Sequence, residues 1–185
     1  MPGRTRAVFL DRDGVINQYR KEYVRTRNDF AYYECTAQAM GLLGSIGLPL
    51  MVVTNQSGIA RGYTTEKKVQ EIHEVLTRDA ERWNAPLLAI EYCPHHPAAG
   101  CRCRKPEPQL FEKLAAAHGV SLAGSYLIGD APSDVKVGKR LSMITLRVAT
   151  GRGEELDPEM PTPDHEVADV LEAAQRIAHL ESEHR

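Results

Sequence analysis

Hydrophobic residues in this chain follow two patterns that take turns along its length. Short apolar runs stand at 7–10, 50–53, 87–92, 126–128 and 143–148, most of them ending in Gly, Asp, Asn or Pro. Runs of that length, closed by turn-forming residues, predict buried strands. In 36–46, 65–83, 107–118, 133–140 and 168–180, apolar residues instead recur every three or four positions, and Ser, Thr or Pro stands near several starts. That spacing predicts helices, with Gly119 as a stop for the third.

Strands that alternate with helices of this length build βαβ units. The expected fold is therefore α/β and doubly wound: a mostly parallel, Rossmann-like sheet with helices on both faces, in a single domain over 1–185. Ligands of such sheets lie beyond the carboxyl ends of the strands. Polar residues stand at those ends: Asp11 and Asp13 after the first strand, Thr54 and Asn55 after the second, a Cys/His cluster after the third and Asp130 after the fourth. The interval 18–34 is longer than most connections and is placed to carry specificity over the active face. Residues 151–164, with three prolines and several acids, read as an exposed connection before a last short strand and a C-terminal helix.

Composition narrows the function. A chain of 185 residues with 42% hydrophobic and 26% charged residues can bury one ordinary core, which excludes disordered and fibrous classes. The formal charge is −2, with Lys and Arg scattered, so nucleic acid and anionic membrane are not expected partners. No apolar run approaches the roughly 18 residues of a membrane span, and residues 1–6 lack the features of a secretory leader. A cytoplasmic enzyme is expected.

Candidate chemistry follows from the strand ends. In Leu10-Asp11-Arg12-Asp13-Gly14, two carboxylates one residue apart can leave a strand on the same side. One can attack phosphorus while the other handles a proton, and a divalent cation would screen their repulsion from a phosphate. Thr54, Asn55, Gln56 and Ser57 offer donors for a phosphoryl oxygen. Lys105 can neutralise that oxygen or the attacking carboxylate, and Arg104 can grip a second anionic group. Asp130 can complete an oxygen-rich magnesium site with Asp11 and a backbone carbonyl, while Asp134 is placed to cap or support the following helix. Cys93, His95, Cys101 and Cys103 have the spacing of a closed, structural zinc site, with His96 as the alternative imidazole. Cys35 reads as core filler.

Taken together, these motifs resemble the haloacid dehalogenase superfamily of phosphohydrolases. The resemblance rests on Phe9-Leu10-Asp11-Arg12-Asp13-Gly14, Val53-Thr54-Asn55, Arg104-Lys105-Pro106, and Gly129-Asp130 with Asp134. Within it, Thr54-Asn55-Gln56-Ser57-Gly58-Ile59-Ala60-Arg61-Gly62 and Cys93-Pro94-His95-His96-Pro97 are similar to the heptose bisphosphate phosphatases, with the histidinol-phosphate phosphatases as a sister branch. The resemblance implies a magnesium-dependent phosphatase without a large cap domain, acting on a small phosphorylated sugar. It implies Asp11 as nucleophile, Asp13 as general acid and then base, and Thr54 and Lys105 holding the phosphoryl group. Arg104 would recognise substrate, and Mg2+ would bind Asp11, the Asp13 carbonyl and Asp130. A monomer is expected. The competing class is a zinc-containing binding module without turnover; the filled set of Asp11, Asp13, Thr54, Lys105 and Asp130 speaks against it.

Overall fold

A computed structural model describes residues 5–183; most of the segment read above for a leader lies outside the described residues. The six strands are β1 (Val8–Leu10), β2 (Leu50–Asn55), β3 (Leu87–Cys93), β4 (Tyr126–Gly129), β5 (Ile144–Val148) and β6 (His165–Val167). They form one sheet, parallel throughout, in the order β3-β2-β1-β4-β5-β6. The order reverses between β1 and β4, which places the crevice of a doubly wound sheet at the end of β1.

Five helices cover the sheet: α1 (Thr36–Ile46), α2 (Glu66–Arg82), α3 (Gln109–His118), α4 (Pro132–Arg140) and α5 (Val170–Glu183). Alternation along the strands divides the interior in two. Val8, Leu10, Leu50, Val52, Tyr126 and Ile128 pack with α1, α2 and α5, whereas Phe9, Met51, Val53 and Leu127 pack with α3 and α4. Successive side chains of a strand point to opposite faces, so a sheet covered on both sides is apolar at every position. This explains why the strand segments read as unbroken hydrophobic runs.

The start of α1 is the expected one, and those of the other four helices differ by one or two residues, for three of them with evident local reasons. Pro108 occupies the cap of α3 rather than its first turn. Pro132 opens α4, where a missing N–H costs nothing. Asp169 accepts from the backbone N–H groups of Leu171 and Glu172, which starts α5 at Val170. Among the described residues, no helix is long and apolar enough to cross a membrane.

The connection from β5 to β6 is closed by Asp164. Its carboxylate accepts from the Thr145 N–H and hydroxyl at 2.7 and 2.8 Å and pairs with Lys139 at 2.5 Å. Burial opposes its charge, but Lys139 and Thr145 outweigh burial and hold the carboxyl below the usual range. A depressed carboxyl stabilises the fold above its unfolded pKa and loses that contribution as pH falls through the folded value. Asp164→Ala is therefore expected to lower unfolding free energy by about 1–2 kcal/mol at pH 7 in urea titrations. The deficit relative to the unmodified chain should shrink once pH drops below about 4.

Candidate active site

The end of β1 is where acidic side chains gather. Asp11 follows Leu10, and its backbone N–H donates to Ile128 O of β4 at 2.9 Å, which fixes the strand end against its neighbour. The Asp11, Asp130 and Asp134 carboxylates converge, with one oxygen of each within 4.8 Å of the others. All three residues are buried. One cation is embedded among them: Lys105 Nζ lies 3.0 Å from Asp11 Oδ2 and 2.7 Å from Asp134 Oδ1, and donates to Val53 O at 2.8 Å.

Three carboxylates against one ammonium leave the cluster with excess negative charge in a place where water cannot screen it. Burial first, and then the neighbouring Asp134 and Asp13, push Asp11 up to about 6 although Lys105 pulls it down. Burial, then Asp11 and Asp134, push Asp130 up to about 8. For Lys105 burial disfavours the ammonium, yet Asp11 and Asp134 outweigh it and hold the group charged well above the ordinary lysine range. An all-oxygen, under-neutralised pocket is the donor set that fits a hard divalent cation of the magnesium kind.

Asp130 is held by close backbone. Its Oδ2 accepts from the Arg152 N–H at 2.7 Å. Gly14 (φ +89) and Gly151 (φ +63) flank the same oxygen, and a Cβ on either would collide with it. Thr150 Oγ1 donates to Gly14 O at 2.6 Å and ties the two glycine turns together. Asp134 performs the capping expected of it, accepting from the Ala131 N–H at 3.1 Å, and also pairs with Lys105.

Asp13 sits in a different electrostatic setting. Its carboxylate accepts from Arg12 Nη2 at 3.0 and 2.9 Å, from Asn17 Nδ2 at 2.9 Å and from Gln56 Nε2 at 2.7 Å. Burial opposes its charge, but the Arg12 guanidinium and these amides prevail and keep the carboxyl below its ordinary value. Two carboxylates a residue apart thus have their proton affinities driven in opposite directions by their surroundings.

The remaining predicted residues meet around a cavity of about 400 Å³, which Asp11, Asp13, Thr54, Gln56, Ser57 and Arg104 help to line. Gln56 also donates to Thr54 Oγ1 at 2.9 Å. Asn55 lines the cavity too, but its amide is engaged with the Lys105 backbone: Oδ1 accepts from the Lys105 N–H at 3.1 Å and Nδ2 donates to Lys105 O at 3.2 Å. That reciprocal pair clasps the end of β2 to the segment that delivers the lysine. Tyr19, Arg20, Lys21 and Tyr23 of the long connection reach the same cavity. The connection is strapped to α2 by Tyr32 OH donating to Asp79 at 3.0 Å, and Thr64 Oγ1 donates to Arg25 O at 2.7 Å.

Beyond β3, Cys93, His95, Cys101 and Cys103 converge. Cys93 Sγ lies 3.5 Å from Cys101 Sγ and 3.2 Å from Cys103 Sγ, and His95 Nδ1 lies 3.1 Å from Cys103 Sγ. Such spacing is close to the edge of a tetrahedron around an ion bound at about 2.0–2.3 Å. The cluster is compatible with zinc. His96 turns away and accepts from the Ala98 N–H through Nδ1.

Sequence reasoning did not single out Arg12, Asn17, His73 or Arg152. Arg12 is wholly buried and Asn17 fully enclosed. A signal for His73 did exist: it shares the buried stripe of α2 with Val69, Ile72, Leu76 and Ala80. The pairing of Lys105 with Asp134 had no signal in the spacing.

The HAD-hydrolase-like family model matches residues 102–174. Fold and site together define a phosphoric monoester hydrolase of the haloacid dehalogenase type. The chain is 36% identical over 160 residues to the D-glycero-beta-D-manno-heptose-1,7-bisphosphate 7-phosphatase of Escherichia coli O6:H1, covering 83% of each chain. It is 34% identical over 146 residues to the Pseudomonas aeruginosa enzyme of the same name, covering 79% of this chain and 82% of that one. Among solved structures it resembles D,D-heptose 1,7-bisphosphate phosphatase from B. bronchiseptica complexed with magnesium and phosphate, with a TM-score of 0.89, 29% identity, and coverage of 95% of this chain and 99% of that one. The chain belongs to the D-glycero-D-manno-heptose-1,7-bisphosphate 7-phosphatase family.

Because Gly14 and Gly151 leave no room beside Asp130, Gly151→Ala is expected to displace that carboxylate. Overpacking of this kind should cost about 1–3 kcal/mol in denaturant unfolding. Calorimetric titration with Mg2+ should show affinity reduced by roughly tenfold, the equivalent of about 1.4 kcal/mol.

Proposed function

We propose that this chain hydrolyses the C7 phosphate of D-glycero-D-manno-heptose 1,7-bisphosphate through an aspartyl-phosphate on Asp11, leaving the 1-phosphate for nucleotide-activated heptose synthesis. The observation that carries the mechanism is the buried Asp11–Lys105–Asp134 arrangement at the β1 end, of which Asp11 lines the cavity. The substrate is supported by the relatives named above.

An oxygen of Asp11 attacks phosphorus, and the bond from phosphorus to the C7 oxygen breaks. The phosphate of bound substrate, an anion beside Asp13, raises the proton affinity that Arg12 depresses in the empty site. Asp13 thereby takes up a proton and gives it to that departing oxygen, then takes one from a water molecule that attacks the acyl phosphate and releases inorganic phosphate. Lys105 keeps Asp11 available as a carboxylate and, with Thr54 and the loop donors of Asn55, Gln56 and Ser57, holds the phosphoryl oxygens. Arg104 engages a second anionic group of the substrate. Asp11, Asp130 and the backbone carbonyl of Asp13 would hold Mg2+, whose charge offsets that of the carboxylates and the phosphate. Zn2+ on Cys93, His95, Cys101 and Cys103 would fix the loop that ends at Arg104 and Lys105. Every group named comes from one chain, which suits a monomer, and free cysteines clustered for a metal suit the reducing cytoplasm.

Asp11→Asn should lower Mg2+-dependent phosphate release by about 10⁴-fold or more and abolish trapping of radiolabelled phosphate on the protein. Activity persisting in that variant would exclude Asp11 as nucleophile. A panel of both anomers of heptose bisphosphate, fructose 1,6-bisphosphate and histidinol phosphate should favour heptose bisphosphate. A preference of about tenfold or more for histidinol phosphate, worth about 1.4 kcal/mol in transition-state binding, would overturn the substrate assignment.

Removal of zinc by a chelator should lower melting temperature and activity together, and Mg2+ alone should restore neither. Full recovery with Mg2+, after metal analysis verifies zinc loss, would count against a structural zinc.

A further inference from the structure

Among the described residues, three that are not glycine adopt a positive φ: Tyr23 at +69°, and Asn84 and Ser142 at +57°. Asn84 directly follows Trp83, the cap that ends α2, and Ser142 follows Leu141, the cap that ends α4. Left-handed residues belong at such helix ends. Tyr23 has no helix to finish. It closes a turn in the long connection after β1, where its N–H donates to Arg20 O at 2.9 Å. Glycine is favoured at the last position of the commonest turn, and a bulky side chain with a left-handed backbone is strained. Backbone strain persists only where the surroundings over-determine it, and it gathers at ligand clamps and active sites.

The surroundings of Tyr23 do over-determine it. Its ring packs on that of Tyr63 with centroids 5.2 Å apart. It also lies against Gly58, where a Cβ would stand 3.2 Å from Tyr23 Cδ1. Gly58 has no positive φ of its own, so the missing side chain serves this close approach. The ring thereby rests on the loop that carries Thr54, Asn55, Gln56 and Ser57. Val24, next in the chain, is buried, and Thr64 Oγ1 holds the Arg25 carbonyl at 2.7 Å.

Held in this way, Tyr23 lines the same cavity as Asp11 and Asp13. Cations line much of the rest, among them Arg20, Lys21, Arg104 and Arg152. They suit the anionic ends of a sugar bisphosphate, but not its middle. The faces of a sugar ring carry C–H groups with slightly positive hydrogens, and the face of an aromatic ring is negative. An aromatic side chain that is already immobilised loses little freedom when such a face settles on it.

We propose that Tyr23 is a specificity-determining residue: its ring, held by the strained turn against Gly58 and Tyr63, is the wall on which the C–H face of the sugar packs while the phosphoryl group lies at Asp11. The inference rests on the reading of the substrate as a sugar phosphate.

Acetyl phosphate offers a phosphoryl group to the same carboxylate but has no sugar for the wall to meet. Comparing it with heptose bisphosphate separates contact with the sugar from damage to the catalytic end. Tyr23→Gly, which removes the ring and suits the left-handed backbone, should lower kcat/KM for heptose bisphosphate by about tenfold or more, mostly through KM. It should change kcat/KM for acetyl phosphate by less than about threefold. Tyr23→Phe keeps the ring and should stay within about threefold of the unmodified enzyme on both substrates. Tyr23→Asn, which also tolerates a left-handed backbone, carries the same test if the glycine variant does not fold by circular dichroism. Equal losses on the two substrates, no loss on either, or a phenylalanine variant as impaired as the glycine one would each overturn the proposal. The unmodified enzyme is the control: if it does not prefer heptose bisphosphate to acetyl phosphate, the sugar-phosphate reading falls. If it does, and the folded Tyr23 variants do not discriminate between the two, the role of Tyr23 alone falls.

Discussion

A single ammonium group, Lys105 Nζ, is the contact on which the site depends. It lies within 3.0 Å of Asp11, 2.7 Å of Asp134 and 2.8 Å of the Val53 carbonyl, and so joins the ends of β1 and β2 and the start of α4 at one atom. Burying charges costs several kcal/mol each unless they find partners, and here the partners leave an uncompensated surplus of carboxylate. That surplus is tolerable only in a molecule that uses it. The cluster is better understood as a receptor for positive charge than as a device for stability.

The lysine is delivered by neighbouring pieces of chain. Asn55 clasps its backbone from the end of β2 through two hydrogen bonds. The Cys/His cluster lies immediately upstream, with Cys93 at the end of β3 and Cys103 two residues before the lysine. A compact domain of this kind has little hydrophobic mass above the sheet with which to hold a loop. Four side chains converge beside this segment instead, and the long connection between β1 and α1 contributes Tyr19, Arg20, Lys21 and Tyr23 to the cavity wall.

Much of this was legible in the chain because its main signals are local. Period-two burial on a sheet covered on both faces writes continuous apolar strands, and amphipathic spacing writes the helices, so α1 over Thr36–Ile46 matches its expected span. Chemistry at strand ends was legible for the same reason: Asp11, Thr54 and Asp130 each follow an apolar run. What could not be seen is contact across the fold. Asn55 presents itself as a free amide in sequence, and only its approach to Lys105, fifty positions away, reveals a clasp. His73 is separated from Arg12 by 61 positions, and a polar residue on an apolar stripe says only that something partners it. The sixth strand, His165–Val167, was expected without a position, because three residues of mixed polarity carry no period of their own.

The fixing of the loop after β5 bears on which parts of such an enzyme can vary. Thr150 and Arg152 are bound to Gly14 and Asp130, and the Glu155 carbonyl is gripped by Arg147 at 2.6 Å. From Leu156, 92% exposed, onward the loop leaves these anchors, and an ion pair of Asp157 with Lys136 at 2.7 Å holds it to α4 before Asp164 closes it. Residues 156–164 do not line the cavity, so insertions or deletions there can reshape the outside of the molecule while the carboxylates beneath keep their positions. Exterior and buried charge can vary here independently.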